Sequence, residues 1–212
     1  MPFEPEQNQP YSLSFTAASL RPELARIIAE AFLACGDWGQ ARQRVLTENT
    51  LQARTPASAI RMEREIRQRI ETLSRRQIEI LAEAPADSRR AIAWLSILKY
   101  SAFVFVFSFQ DLRGKIESLD PVLRPSDYEN FFIAQAETHP ELGNLATSTK
   151  EKIRRVMITM LREAGILGEG RKDFTLQRPV VPPDVLSAIL ADNRRWLAGF
   201  LVPDDEIAAL RE

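Results

Sequence analysis

The sequence predicts a mainly α-helical protein: an N-terminal multi-helical domain followed by a winged helix-turn-helix-like domain with a small β-hairpin. Three observations lead there. Apolar residues recur at helical spacing in one segment after another. Glycine is scarce, 8 of 212 residues, which argues against a strand-and-turn-rich fold and against a glycine-rich phosphate loop. In the last third, two helical patterns are followed by two short β-prone runs around a charged turn. At 212 residues and 45% hydrophobic content, the chain can bury one large core or two smaller ones without disulfides or metals. Prolines concentrate in residues 1–10, 121–125 and 179–183 and mark the boundaries. They divide the chain into a flexible tail (1–9), a helical domain (10–118), a winged-helix-like domain (120–183) and a C-terminal packing helix (184–212).

The N-terminal elements follow from period and caps. Leu24, Ile27, Ile28, Ala31 and Phe32 form one helical stripe, entered at Pro22 and ended by Gly36. Trp38, Ala41, Val45 and Leu46 form the next. Thr55-Pro56 reads as an N-cap with proline at the first helical position, opening a helix over 55–73. A short helix over 75–83 stops before Pro85. A long apolar helix opens at Asp87 or Ser88. It reaches about Phe107 or continues to 119, because no turn residue interrupts it. Its core, residues 91–109, could pass for a membrane span. Lys99 sits at its centre, where a charge costs about 2.5–3.5 kcal/mol in a bilayer, and charged residues flank it closely. That predicts the buried central helix of a soluble core. Residues 1–10 do not read as a signal peptide. The single cysteine, Cys35, predicts a reducing compartment and a small buried side chain. The expected location is cytoplasmic.

In the second unit, residues 127–139 predict a short helix stopped by Pro140. Residues 147–164 carry the most specific pattern. Ser148 and Glu151 have capping-box spacing. Ile153, Val156, Met157, Met160, Leu161 and Ala164 share one face, and Gly165 ends the helix. The segments 166–167 and 174–178 flank a polar turn, and residues 184–200 predict a terminal helix.

The net charge is only -1, but its distribution is uneven. Residues 39–76 and 148–178 are basic, while acids collect around 111–141 and at the C-terminus. In a winged helix the second helix enters the major groove. That makes Thr147, Ser148, Thr149, Lys150, Lys152, Arg154 and Arg155 candidate DNA ligands, with Arg171 and Lys172 at the wing tip. Arg154 lies near the apolar stripe and has the alternative of lying along the core. Arg61, Arg64, Arg67 and Arg69 form a second candidate surface. Glu63 with Arg67, and Glu65 with Arg69, would alternatively be ordinary stabilising pairs of an exposed helix.

Enzyme patterns are missing. The one histidine, His139, precedes a proline at a helix end. One His and one Cys far apart make no zinc site. No nucleophile elbow, P-loop or dinucleotide fingerprint occurs. Asp120, Asp127 and Glu129 read as caps. No catalytic residue, metal or cofactor is expected.

Several local patterns together resemble one family. They are Tyr11-Ser12-Leu13-Ser14-Phe15-Thr16 with Leu20, Asp37-Trp38, and Asn49-Thr50-Leu51-Gln52-Ala53-Arg54-Thr55. Ser58, Arg61, Glu65-Ile66, Arg69 and Leu73 follow, then Trp94-Leu95, Lys99-Tyr100, Phe103, Arg113-Gly114-Lys115 and the 147–167 helix. Over nearly its whole length the chain resembles the BrxA proteins of BREX phage-defence systems, once labelled inner-membrane proteins. The resemblance implies a helical, non-enzymatic protein that binds double-stranded DNA with little sequence preference. It also implies work beside other BREX proteins, including a methyltransferase and an ATPase; against the old membrane label, Lys99 and its charged flanks predict no membrane association. An adaptor that assembles those proteins is the alternative. The run Phe103-Val104-Phe105-Val106-Phe107 is more apolar than the family suggests and leaves open a hydrophobic contact with a partner.

Overall fold

The first four helices each begin where a side chain or proline removes an orphan amide. In the computed structural model, which describes residues 11, 13–170 and 173–210, a 3-10 turn at Ser14–Ala17 precedes α1 (Pro22–Cys35). Pro22 fills a first-turn position that needs no N–H, and Gly36 (φ 73°) donates to the Phe32 carbonyl at 2.8 Å to end the helix. Asp37 caps α2 (Trp38–Thr47) through Gln40 N at 2.8 Å. Thr55 caps α3 (Pro56–Ile70) through Ser58 N at 3.2 Å. Ser74 and Gln77 form a reciprocal capping box on α4 (Arg75–Glu83). The expected tail, residues 1–9, lies outside the described residues.

The central apolar segment is not one helix. α5 (Ala86–Tyr100) ends at Ser101, whose extended backbone (φ -124°, ψ 106°) turns the chain. α6 (Ala102–Val106) follows, runs through a π-helical stretch (Phe107–Leu112) and ends as α7 (Arg113–Glu117). The two limbs, Ala86–Tyr100 and Ala102–Glu117, are bent by 112°. A straight helix over both would be about 48 Å long, as long as a compact chain of this size is wide. Bending lets one limb pack against α3 and α4, and the other reach the Pro125–Thr138 helix. No single described helix is long and apolar enough to cross a membrane. Lys99 ends half-buried on Asp192 (3.0 Å). Phe103, Phe105 and Phe107 are buried at 0–2% exposure, so the Phe-rich run has no face left for a partner.

After α7, β1 (Val122–Leu123) leads into α8 (Pro125–Thr138), α9 (Pro140–Gly143) and α10 (Thr147–Glu163). β2 (Phe174–Thr175) pairs antiparallel with β1, Val122 opposite Thr175 and Leu123 opposite Phe174. On its other side, an isolated bridge joins Leu167 to Leu176. The expected terminal helix is broken. α11 (Pro183–Leu190) ends before Asn193, whose side chain accepts from Arg195 N at 3.0 Å and restarts the chain as a 3-10 helix, Arg194–Phe200. α12 (Asp204–Ala209) closes the described chain.

The buried apolar residues form one cluster from Phe15 to Ile207. Phe103 and Phe107 of the bent segment meet Phe131 of α8 at ring distances of 5.2 and 4.8 Å. Arg113 ties α7 to Asp204 at 2.6 Å, and Lys115 ties it to Asp120 (2.8 Å) and Asp127 (3.2 Å). The N-terminal segment also reaches α8 and α9. Tyr11 donates from its N–H to Glu141 and from its hydroxyl to Gln135, both at 2.7 Å. Its ring stacks 3.9 Å from buried His139, which caps the end of α8.

Candidate nucleic-acid interface

α10 buries Ile153, Met157, Met160 and Leu161, so its other side faces outward. It begins one residue after Ala146, with no side chain capping it. The Ser148–Glu151 capping box is therefore absent: Ser148 already lies within the first turn and is exposed. Thr147 and Ser148 are exposed and Thr149 is half-buried. The first amide groups of this helix carry the partial positive charge that attracts anions.

The cations of α10 differ in availability. Lys152 and Arg155 are exposed and make no ion pair among the described residues. Arg154 reaches Glu129 at 3.4 Å, with both side chains exposed enough to be screened. Lys150 turns back, with its Nζ 3.4 Å from the Gly143 carbonyl and 5.5 Å from the Phe132 ring centre. Arg162, not singled out from sequence, lies 4.6 Å over Phe174 and donates to the Gly170 carbonyl at 2.9 Å. It fixes the start of the charged turn to the helix. Arg171 and Lys172 lie outside the described residues.

On α3 the four arginines separate sharply. Arg61 and Arg64 are exposed, without ion pairs among the described residues. Arg67 is held by Glu63 (2.8 Å) and Glu71 (2.6 Å). Arg69 is 2% exposed and is no surface cation. It donates to the carbonyls of Phe15 (3.0 Å), Ala18 (2.8 Å) and Ser19 (2.9 Å) and pairs with Glu65 at 2.5 Å. The two i,i+4 pairs read from sequence both form, but on the buried side. Burial pushes the Glu63 carboxyl above its ordinary pKa, against the pull of Arg67 and Arg42. Burial likewise pulls the Arg69 guanidinium down, opposed by Glu65.

Residues 15–20 thus lie between two helices. Glu65 of α3 accepts Ala18 N at 2.9 Å. Glu163 of α10 accepts Ser19 Oγ at 2.9 Å and Leu20 N at 2.6 Å. Sequence reasoning missed Glu163. Its one signal was an acid at the edge of an otherwise basic helix. Leu20, Glu65, Arg69, Trp94, Phe103 and Arg113, which carry much of the family resemblance, are all buried. Asn49, Gln52, Arg54, Ser58 and Arg61 of the same pattern are exposed, so in the N-terminal half it records surface as well as fold.

Among the described residues, no group of three or more His, Cys, Asp and Glu side chains is placed to hold a metal ion. Where Asp120 and Asp127 converge, the Lys115 ammonium already lies between them. Cys35 is half-buried at the end of α1, more accessible than expected.

The comparisons with known proteins agree over most of the chain. A BREX protein BrxA of Escherichia coli O9:H4 (strain HS) is 25% identical over 148 residues, covering 70% of each chain. A BREX protein BrxA of Bacillus cereus (strain H3081.97) is 23% identical, covering 72% of this chain and 76% of the relative. A third, from Paramagnetospirillum magneticum (strain ATCC 700264 / AMB-1), is 21% identical and covers 88% and 94%. The crystal structure of an uncharacterized protein from Magnetospirillum magneticum superposes with a TM-score of 0.81 at 19% identity, covering 91% of this chain and 98% of that one, and so shares the fold. The BrxA family profile matches residues 9–193, and the chain belongs to the BrxA family.

Proposed function

We propose that this protein is a non-enzymatic component of a BREX phage-defence system that binds double-stranded DNA with little sequence preference. The observation that carries the reading is the outward side of α10. Lys152 and Arg155 stand there without ion pairs among the described residues, on the first half of a 17-residue helix whose amino terminus has no side-chain cap. Cations and free amide groups of this kind suit phosphate oxygens, which carry no sequence information. We read α8, α9 and α10 with β1, β2 and the 167–176 bridge as a winged helix, α10 being its groove-entering helix. Relatives bearing the name BREX protein BrxA support the defence role, and other BREX proteins are the expected protein partners. Arg61 and Arg64 supply a second phosphate-contacting set, while Arg69 does not.

A mobility-shift titration of an arbitrary duplex at two salt concentrations tests this. Each phosphate contact contributes a slope of about -0.9 in log affinity against log salt. Salt-sensitive binding lost in Lys152→Glu/Arg155→Glu supports the reading. Absence of binding at low salt overturns it and favours an assembly adaptor.

A further inference from the structure

Glu65, Arg69 and Glu163 do not contact solvent-side ligands; they hold residues 15–20 between α3 and α10. The strap gives its backbone groups to side chains of two helices, Ala18 N to one and Leu20 N to the other, only two residues apart. That fixes where α3 and α10 stand relative to each other. Both helices then extend away from the strap toward unpaired cations. On α3, Arg61 lies one turn before Glu65, a spacing that keeps both on neighbouring positions of one side. On α10, Lys152 lies eleven residues before Glu163. Eleven residues complete three turns, so Lys152 shares the side of the helix that meets the strap. Arg155 is two turns before Glu163, on the adjoining row.

We infer that the strap joins these two sets of cations into one surface that takes a single DNA duplex, with Glu65, Arg69 and Glu163 as positioning residues. The inference rests on the DNA-binding reading above. Its dimensions fit. Followed through α3, the strap and α10, the Cα atoms of Arg61 and Lys152 stand no more than about 45 Å apart at any crossing angle of the helices. One turn of duplex is about 34–36 Å. A duplex of about 20 base pairs, about 68 Å, therefore spans even that outer limit, whereas one of about 8 base pairs, about 27 Å, does not. Binding at both sets raises affinity without any new contact, as for any linked pair of sites.

The test is fluorescence anisotropy of labelled 8- and 20-base-pair duplexes with the full chain. Wild type binds the longer duplex at least tenfold more tightly, one duplex per chain. Arg61→Ala and Lys152→Ala each lower the salt slope for the longer duplex by about 1. Glu163→Ala, which removes no cation, erases the length advantage and leaves affinity for the short duplex within twofold of wild type. A merely unfolded variant would lose both. Should Glu163→Ala fail to fold, the stoichiometry still decides. Two 20-base-pair duplexes per chain would show that the two sets act separately and overturn the inference. So would a wild type that binds both lengths equally. A wild type that binds neither length removes the underlying reading, and the inference with it.

Discussion

Glu65 and Arg69, one turn apart on α3, form an ion pair at 2.5 Å, and both face the backbone of the same crossing segment. Neither side chain is available to solvent, at 5% and 2% exposure. Removing one partner leaves the other charged and buried, which costs about 3–5 kcal/mol. Arg69→Met is therefore expected to lower stability by that amount in urea unfolding. Glu65→Leu/Arg69→Met together should cost far less, because no uncompensated charge remains. A double variant as damaging as the single one would show that the backbone contacts, not the charge balance, dominate.

The exposed cations of α10 predict the opposite pattern. Lys152→Ala and Arg155→Ala touch no buried group, so stability should stay within about 0.5 kcal/mol of wild type. DNA affinity should fall with each, and the salt slope should drop by about 1 per residue. Thermal melts and titrations on the same preparations separate the two effects.

Asp111 adds a pH dependence. Burial, and then the charge of Asp127, push its carboxyl up to about 6, while Lys115 pulls the other way. The folded state thus holds its proton more tightly than the unfolded chain does. Below about pH 4 both states are protonated and Asp111 costs nothing. As pH rises to about 6 the folded state loses stability through this group, and above that the loss is complete. Asp111→Asn should gain about 1–3 kcal/mol at pH 7.5 and nothing at pH 4. Urea midpoints at the two pH values check this; an equal gain at both would assign it to packing instead.

Gly199 lies against the inner limb of the bent segment, and Trp94 Nε1 donates to its carbonyl at 3.0 Å. A Cβ there would come within 2.5 Å of Leu98 Cδ1, and Leu98 is 1% exposed. Gly199→Ala should destabilise by about 1–3 kcal/mol through overpacking. Combined with Leu98→Ala, which is itself destabilising, the two losses should be less than additive because the added methyl enters the vacated space, and thermal melts of the three variants would read this.

Local signals carried the reading of the helices well. Pro22, Thr55 and Gly36 act where proline, hydroxyl and glycine rules place them, while the Ser74–Gln77 box went unread. The failures share a physical origin, which is tertiary. Nothing at Ser101 announces a break, and the bend there satisfies two sets of packing partners on either side. β1 is two residues long between prolines and offers no alternation to detect. Arg69 and Arg61 are chemically identical on one helix, and only the position of the strap decides which is buried. The candidate surface was legible on α10 because its apolar stripe is clear, and less so on α3, where Glu63, Glu65 and Arg69 lie on the buried side.

The crossing segment also orders events in time. Ser19 meets Glu163 across 144 residues, and Tyr11 meets Glu141 across 130. At ribosomal rates of about 5–20 residues per second, Glu163 is made roughly 7–30 s after Ser19. Arg69 and its partners, Glu65 and the carbonyls of Phe15, Ala18 and Ser19, are all made before Glu163, so the contacts of this segment with α3 precede those with α10. Closure of such a long loop comes late because its entropy must be spent before its contacts form. Docking of residues 15–20 is thus the step that completes the molecule. A chain truncated before Glu163 keeps the hold of α3 on this segment and lacks that of α10, so it is latched on one side only.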